Sequence, residues 1–161
     1  MRSVGAPRTT VASGGSSILL CDEERECAVP LAVALEDLGH DVTIVTSCAE
    51  AFSAACAHDF DVLVAAPFLR DGATLLLPRA LGIRRPRLMI LMTRMPERLS
   101  AAAAERVGFD VQLTRVVDPL RLDRILRTAA VDVSVRVAAV AVVEDAPPAS
   151  EVGARGPSRL R

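Results

Sequence analysis

The sequence predicts an α/β fold, a doubly wound parallel sheet built from five βα units. Three observations carry that expectation. Short apolar runs alternate with stretches of helical periodicity along residues 17–130. The run 62–66, set between Asp61 and Pro67, is apolar without interruption, as a parallel strand buried on both faces has to be. Turn and stop signals punctuate the alternation, with Gly39 and Gly108 after helical stretches and Asp71-Gly72 after the central run.

In chain order, residues 1–16 are rich in Gly, Ser, Thr and Ala and read as a disordered leader. The first strand, 17–21, runs into the acidic cluster Asp22-Glu23-Glu24. The helix after it places Leu31, Ala34, Leu35 and Leu38 on one face. Pro30 suits only a first turn, so this helix is expected to start near Glu26 or Cys27. A second strand covers 41–45, and a second helix runs from Ser47 or Cys48 to Ala57. The central strand, 62–66, precedes a helix from about Ala73 to Leu81. The basic loop GIRRPR at 82–87 leads into a fourth strand, 88–92, ending at Thr93. Residues 96–107 form a fourth helix and 111–113 a fifth strand. Asp118 caps a fifth helix, with Pro119 at its first position.

The end of the chain reads two ways. Val131, Val133, Val135 and Val137 alternate with Asp132, Ser134, Arg136 and Ala138, which is strand periodicity. Residues 131–143 are either a sixth strand on a sheet edge, shared with a second subunit, or an apolar extension without structure. From Glu144 to the end, Pro, Ala, Gly and Arg predict a disordered tail, 144–161.

Composition bounds the function. Of 161 residues 51% are apolar, enough for a core without disulfides or metals. A net charge of −1 gives no bulk attraction to nucleic acid or an anionic membrane. All 19 basic residues are Arg, with Arg filling the surface role of Lys as in a GC-rich bacterial genome. Cys21, Cys27, Cys48 and Cys56 lack zinc-like spacing and read as apolar fillers in a reducing cytosol. There is no signal-peptide pattern and no 18-residue apolar stretch, so a cytoplasmic, non-membrane domain is expected. His40 and His58 have no acid–base partner evident in the sequence and are expected at the surface.

ILLCDEE at 18–24, LEDLGHDVTIVTSCAEAF at 35–52, FDVLVAAPFLRDG at 60–72, LMILMTR at 88–94 and LTRVVDPLRL at 113–122 resemble, in this order and spacing, the receiver (CheY-like) domain of bacterial response regulators. The resemblance covers residues 17–130 and implies a flavodoxin/CheY-like sheet in the order 2-1-3-4-5. The family transfers a phosphoryl group from a histidine kinase to an Asp at the end of strand three, with Mg²⁺, a hydroxyl and a lysine neutralising the charge. Residue by residue, Asp22 and Glu23 match the metal-holding acids and Thr93 the hydroxyl. The acceptor position is Ala66, the lysine position Arg115, the following proline Val116, and the aromatic reporter position Gln112.

These departures imply a degenerate receiver with no catalytic residue. Its Asp22 and Glu23 form at best a weak residual Mg²⁺ site, and Arg115 is free to pair with either carboxylate as an internal salt bridge. Asp61 and Asp71 are poor substitutes for the acceptor, the first at the far edge of the sheet and the second in a turn. The expected function is then a stand-alone protein-docking module in two-component-type signalling. The face on helix four, strand five and helix five, with Leu99, Gln112, Leu120, Arg121 and Arg124, would meet a histidine kinase, another regulator or a second copy. Two alternatives stand beside it. One is a cyclic-dinucleotide or other nucleotide binder using Arg84, Arg85 and Arg87 or Arg121, Arg124 and Arg127, and the other is a phosphoacceptor with an unusual site.

Overall fold

The computed structural model describes residues 14–95 and 100–131 of the chain. Its elements, in order, are β1 (Ser17–Cys21), α1 (Arg25–Asp37), β2 (Asp41–Val45), α2 (Cys48–Ala57) and β3 (Val62–Ala65). The two-residue strands β4 (Phe68–Leu69) and β5 (Gly72–Ala73) follow, then α3 (Leu77–Leu81), β6 (Leu88–Thr93), α4 (Ala101–Arg106), β7 (Val111–Thr114) and α5 (Pro119–Val131). β2, β1, β3, β6 and β7 pair in that order, all parallel, while β4 and β5 make a small antiparallel hairpin. Counting the five long strands alone, this is the doubly wound order 2-1-3-4-5.

Successive strand residues point to opposite faces, and the two faces carry different helices. Ile18, Leu20, Val62, Val64, Ile90 and Met92 pack under α1 and α5, through Ala28, Ala32, Leu35, Leu122 and Leu126. Leu19, Cys21, Leu63, Ala65, Met89 and Leu91 pack under α2, α3 and α4. Every residue of β3 and β6 is buried, which is why their sequences show no polar alternation.

Three elements depart from expectation for identifiable reasons. α1 begins at Arg25, so Pro30 sits at its sixth position rather than in the first turn. The acidic cluster starts the helix itself: Asp22 Oδ1 accepts the Glu24 N–H at 2.9 Å, and the Glu24 carbonyl accepts from Cys27 and Ala28 at 2.9 and 3.0 Å. Pro30 is exposed, so the hydrogen bond it forgoes lies on the solvent side. The helix expected over 73–81 is instead a hairpin strand, a 3₁₀ turn (Thr74–Leu76) and the short α3. Thr74 is tied back to the end of β3 by its N–H to Pro67 O at 3.0 Å and its hydroxyl to Ala66 O. Pro78, lacking an N–H, is accommodated near the start of a new helix. α4 starts at Ala101, capped by Ser100 Oγ accepting from Ala103 N–H at 3.2 Å; residues 96–99 of the expected helix, Leu99 among them, lie outside the described residues.

Val131 is the last residue of α5, and the rest of the expected sixth strand, 132–143, lies outside the described residues, as do 1–13 of the leader and the tail 144–161. Ser16 is described, and it is buried. Among the described residues no helix is long and apolar enough to cross a membrane.

His40 is not at the surface: its side chain is fully buried. Nδ1 accepts the Ser16 N–H at 3.0 Å, which places the neutral ring's proton on Nε2, 2.8 Å from Asp123 Oδ1. Asp123 accepts a second bond from Arg127 Nε at 2.8 Å. That bond, and then the one from His40, hold its carboxyl below the ordinary 3.8. The stability Asp123 contributes is therefore present above about pH 4 and lost as pH falls further. His40→Ala strands a buried backbone N–H, and unfolding in urea at pH 7 is expected to show a loss of about 2 kcal/mol. An unchanged midpoint would mean that water serves Ser16 equally well.

Candidate functional site

In an open parallel sheet, groups that can act together collect beyond the carboxyl ends of the strands. Here the ladders extend one step past the strands and fix four positions there. Asp22 N–H donates to Val45 O at 3.0 Å, Ala66 N–H to Cys21 O at 3.0 Å, and Arg115 N–H to Thr93 O at 2.8 Å. The sequence-predicted positions Asp22, Ala66, Thr93 and Arg115 thus share one edge of the sheet, on adjacent strands. The Arg115–Val116 peptide is cis.

The side chains there form a closed ionic network. Arg115, with 9% of its side chain exposed, places Nη2 2.7 Å from Asp22 Oδ2 and Nη1 3.3 Å from Glu24 Oε1. Arg94 Nη2 reaches Glu24 Oε2 at 2.6 Å. Asp22 is buried, and its second oxygen already holds the Glu24 N–H. Burial pushes the Asp22 carboxyl above its ordinary 3.8, while the Glu24 N–H and Arg115 pull it part of the way back. Arg115 therefore pairs with Asp22 and Glu24, and Glu23 is exposed outside the network. Glu24 and Arg94 were missing from the sequence-derived set. Both stand inside the quoted motifs, next to residues that were included.

The remaining positions are equally committed. Ala66 is buried and has no reactive side chain; its carbonyl accepts from the Thr74 hydroxyl. Thr93 is buried, with Oγ1 accepting the Met95 N–H at 3.1 Å. For Mg²⁺, which wants several oxygen ligands in octahedral array, this donor set does not fit. Both Asp22 oxygens are taken, Ala66 offers no carboxylate, and no three His, Cys, Asp or Glu converge among the described residues.

Asp61 and Asp71 are placed as structural acids. Asp61 accepts the Ser17 N–H at 2.9 Å and pairs with Arg87 at 3.3 Å, at the opposite end of the sheet from the network. Asp71 does more than shape its turn: its oxygens accept the Cys48 and Ala49 N–H groups at 2.7 and 3.0 Å, capping α2, and those bonds hold its carboxyl below 3.8. It also borders a concavity of about 370 Å³ between α2 and α3, lined mostly by apolar groups such as Phe52, Leu76 and Leu77. That concavity lies away from the network and offers no free polar group to orient a ligand.

The loop arginines do not converge on an anion either. Arg84 bonds Cys56 O at 3.0 Å, Arg85 bonds both oxygens of Asp110 at 3.0 Å, and Arg87 pairs with Asp61. On α5, Arg127 is committed to Asp123 and to Leu38 O. On the expected partner face Leu120 and Arg124 are exposed, while Arg121 and Gln112 are half-buried.

No family model matches the chain, and no curated protein does. Solved structures do. A two-component response regulator from Clostridium difficile superposes with a TM-score of 0.69 at 20% identity, over 74% of this chain and 99% of that one. The chemotaxis response regulator CheY4 of Vibrio cholerae gives 0.64 at 18%, over 71% and 98%. The chain has the CheY-like fold. A third structure with the CheY-like fold, the receiver domain of a sensor histidine kinase from Pseudomonas aeruginosa, gives 0.62 at 23%, over 71% and 96%, and in that protein a magnesium ion is coordinated in the active-site cleft. At the carboxyl end of this chain's own sheet, Arg115 holds Asp22, the acid that follows β1.

Proposed function

We propose that this chain is a receiver-like protein-docking module of two-component-type signalling that takes up no phosphoryl group and acts without Mg²⁺. One observation carries the reading. The position at the end of β3 is Ala66, and the pocket beside it is closed by the Arg115 pair with Asp22 and Glu24. A phosphoryl acceptor needs a nucleophilic oxygen and a cation to spread the developing charge; the first is missing, and of the two matched acids only the exposed Glu23 is uncommitted, Asp22 being held by Arg115. Arg115 supplies from within the chain a positive charge like the one a cation would bring, which favours one fixed arrangement of the loops after β1, β6 and β7. Function then rests on the surface, on Leu120, Arg121 and Arg124 above all.

The test is direct. Incubated with acetyl phosphate and Mg²⁺, the intact protein is expected to show no covalent mass gain, and a phosphoryl adduct cleaved by alkali or hydroxylamine would overturn the reading. A partner recovered from the native host with the wild-type chain is expected to be lost with Leu120→Ala or Arg121→Glu.

A further inference from the structure

Among the described strands β2 and β7 are the edges of the sheet, and apolar surface lies open beside β2. On α1, Cys27 and Leu31 border Met92 and Val117, so that flank of the helix faces β6 and α5. Val29 and Val33 each stand two positions further on, about 200° round the helix, and so occupy the opposite flank, over the outer side of β2. They are 41% and 50% exposed. On the same face of the sheet, Val42 and Ile44 of β2 are only half-buried. An uncovered valine flank beside an unpaired strand edge is the surface that one further strand would close.

We infer that the chain's own segment Ala138–Val143 docks on this edge, parallel to β2 and beneath Val29 and Val33. Handedness selects the edge. α1 links β1 to β2, so a right-handed link with its helix on this face steps in the β1-to-β2 direction. α5 lies on the same face, and a parallel strand after it is right-handed only if it steps the same way, where the open position is beyond β2. Beside β7 the same strand would make a left-handed crossover, which such connections almost never adopt. The exit of α5 agrees with this. Arg127, one turn before the helix ends, bonds Leu38 O at 2.9 Å, and Asp123 meets His40, so α5 finishes beside the turn that leads into β2.

Length and composition fit the same path. Residues 132–143, which lie outside the described residues, span about 40 Å when extended. Passing from α5 under α1 to the far side of β2 takes roughly 20 Å, and the five residues of β2 cover about 17 Å. The polar groups Asp132, Ser134 and Arg136 fall in the crossing, and Ala138–Val143 is apolar throughout. With period two, Val140 and Val142 share one side of the segment and meet Val29 and Val33, while Ala139 and Ala141 take the other. A tether this short holds the segment at an effective concentration of about millimolar, which favours it over the same segment of a second copy. The α5 surface at Leu120, Arg121 and Arg124 stays open, because the segment leaves from the other end of that helix.

Hydrogen exchange of the full chain, read by mass spectrometry, tests it. In the wild type, residues 138–143 are expected to exchange about a hundredfold more slowly than an unstructured chain, at a rate independent of protein concentration. Val140→Asp with Val142→Asp, and separately Val33→Asp on the exposed flank of α1, are expected to return 138–143 to the unstructured rate. Both should also speed exchange in 41–45 and leave 62–65 and 88–93 as they were. Free exchange of 138–143 in the wild type would overturn the inference, and so would protection that survives Val33→Asp. Protection that grows with concentration would put a second copy's segment on the edge in place of the chain's own. Faster exchange in 111–114 rather than 41–45 on changing Val140 and Val142 would move the segment to β7. Either of these last two results also sinks the placement on β2 by the chain's own segment.

Discussion

Arg115→Ala is expected to be the most damaging single change at the site, costing about 3 kcal/mol at pH 7 and lowering the melting temperature by roughly 10 °C. Arg115 and Asp22 are both nearly enclosed, with 9% and 2% of their side chains exposed, so removing the guanidinium leaves a buried carboxylate facing no cation of its own. Protonation limits the damage. Asp22 can take up a proton, and at 1.36 kcal/mol per pH unit between its ordinary 3.8 and 7 the penalty cannot exceed roughly 4 kcal/mol. The Glu24 N–H on its other oxygen reduces it further.

The sign of the pH dependence follows. Burial already raises the Asp22 pKa in the folded chain, so the folded state binds its proton more tightly than the unfolded one. Its influence on stability is most favourable below pH 3.8 and declines as pH rises through the folded value. Losing Arg115 raises that value again and extends the decline toward neutrality. The difference between wild type and variant in urea midpoints should be small near pH 4 and full at pH 7. Asp22→Asn, which removes the buried charge and leaves Arg115 its Glu24 contact, should cost clearly less than Arg115→Ala. Equal costs for the two variants would mean that packing, not charge, dominates here.

What the sequence made legible, and what it hid, divides by the range of the interactions. β3 and β6 were readable because burial on both faces leaves nothing polar in the run, a local signature of a global position. The start of α2 was readable because Ser47 caps it from the adjacent position. The helix over 73–81 was misread because what breaks it, the Thr74 hydroxyl on Ala66 O, ties the segment back to the end of β3, which no local pattern reveals. His40 was misread for the same reason: its partners Ser16 and Asp123 are 24 and 83 positions away. Within Asp22-Glu23-Glu24 the difficulty was angular. Three adjacent carboxylates at a helix entry point in different directions, and only the way α1 begins turns Glu24, rather than Glu23, toward Arg115.

Ala66→Asp asks how much of a phosphorylation site has been lost along with the acceptor. Without metal, the new carboxylate enters a buried position beside Asp22, with Arg115 already committed, and should lower stability by roughly 1–3 kcal/mol at pH 7. With Mg²⁺ the balance changes. Asp22, Glu23 and the new carboxylate can share the cation, and Arg115 can be released toward Glu24 alone. At about ten times its dissociation constant, Mg²⁺ would return ~1.4 kcal/mol, a melting shift of several degrees, whereas the wild type should not respond. Acetyl phosphate should then label the variant and leave the wild type unmodified. A metal-dependent shift of the same size in both proteins would show that Asp22 and Glu23 suffice as a site, and that Arg115 yields to a cation. No shift in either would place the loss deeper than Ala66, in the guanidinium that has taken the cation's place. The two outcomes call for opposite repairs: a carboxylate alone in the first case, and Arg115→Lys together with it in the second.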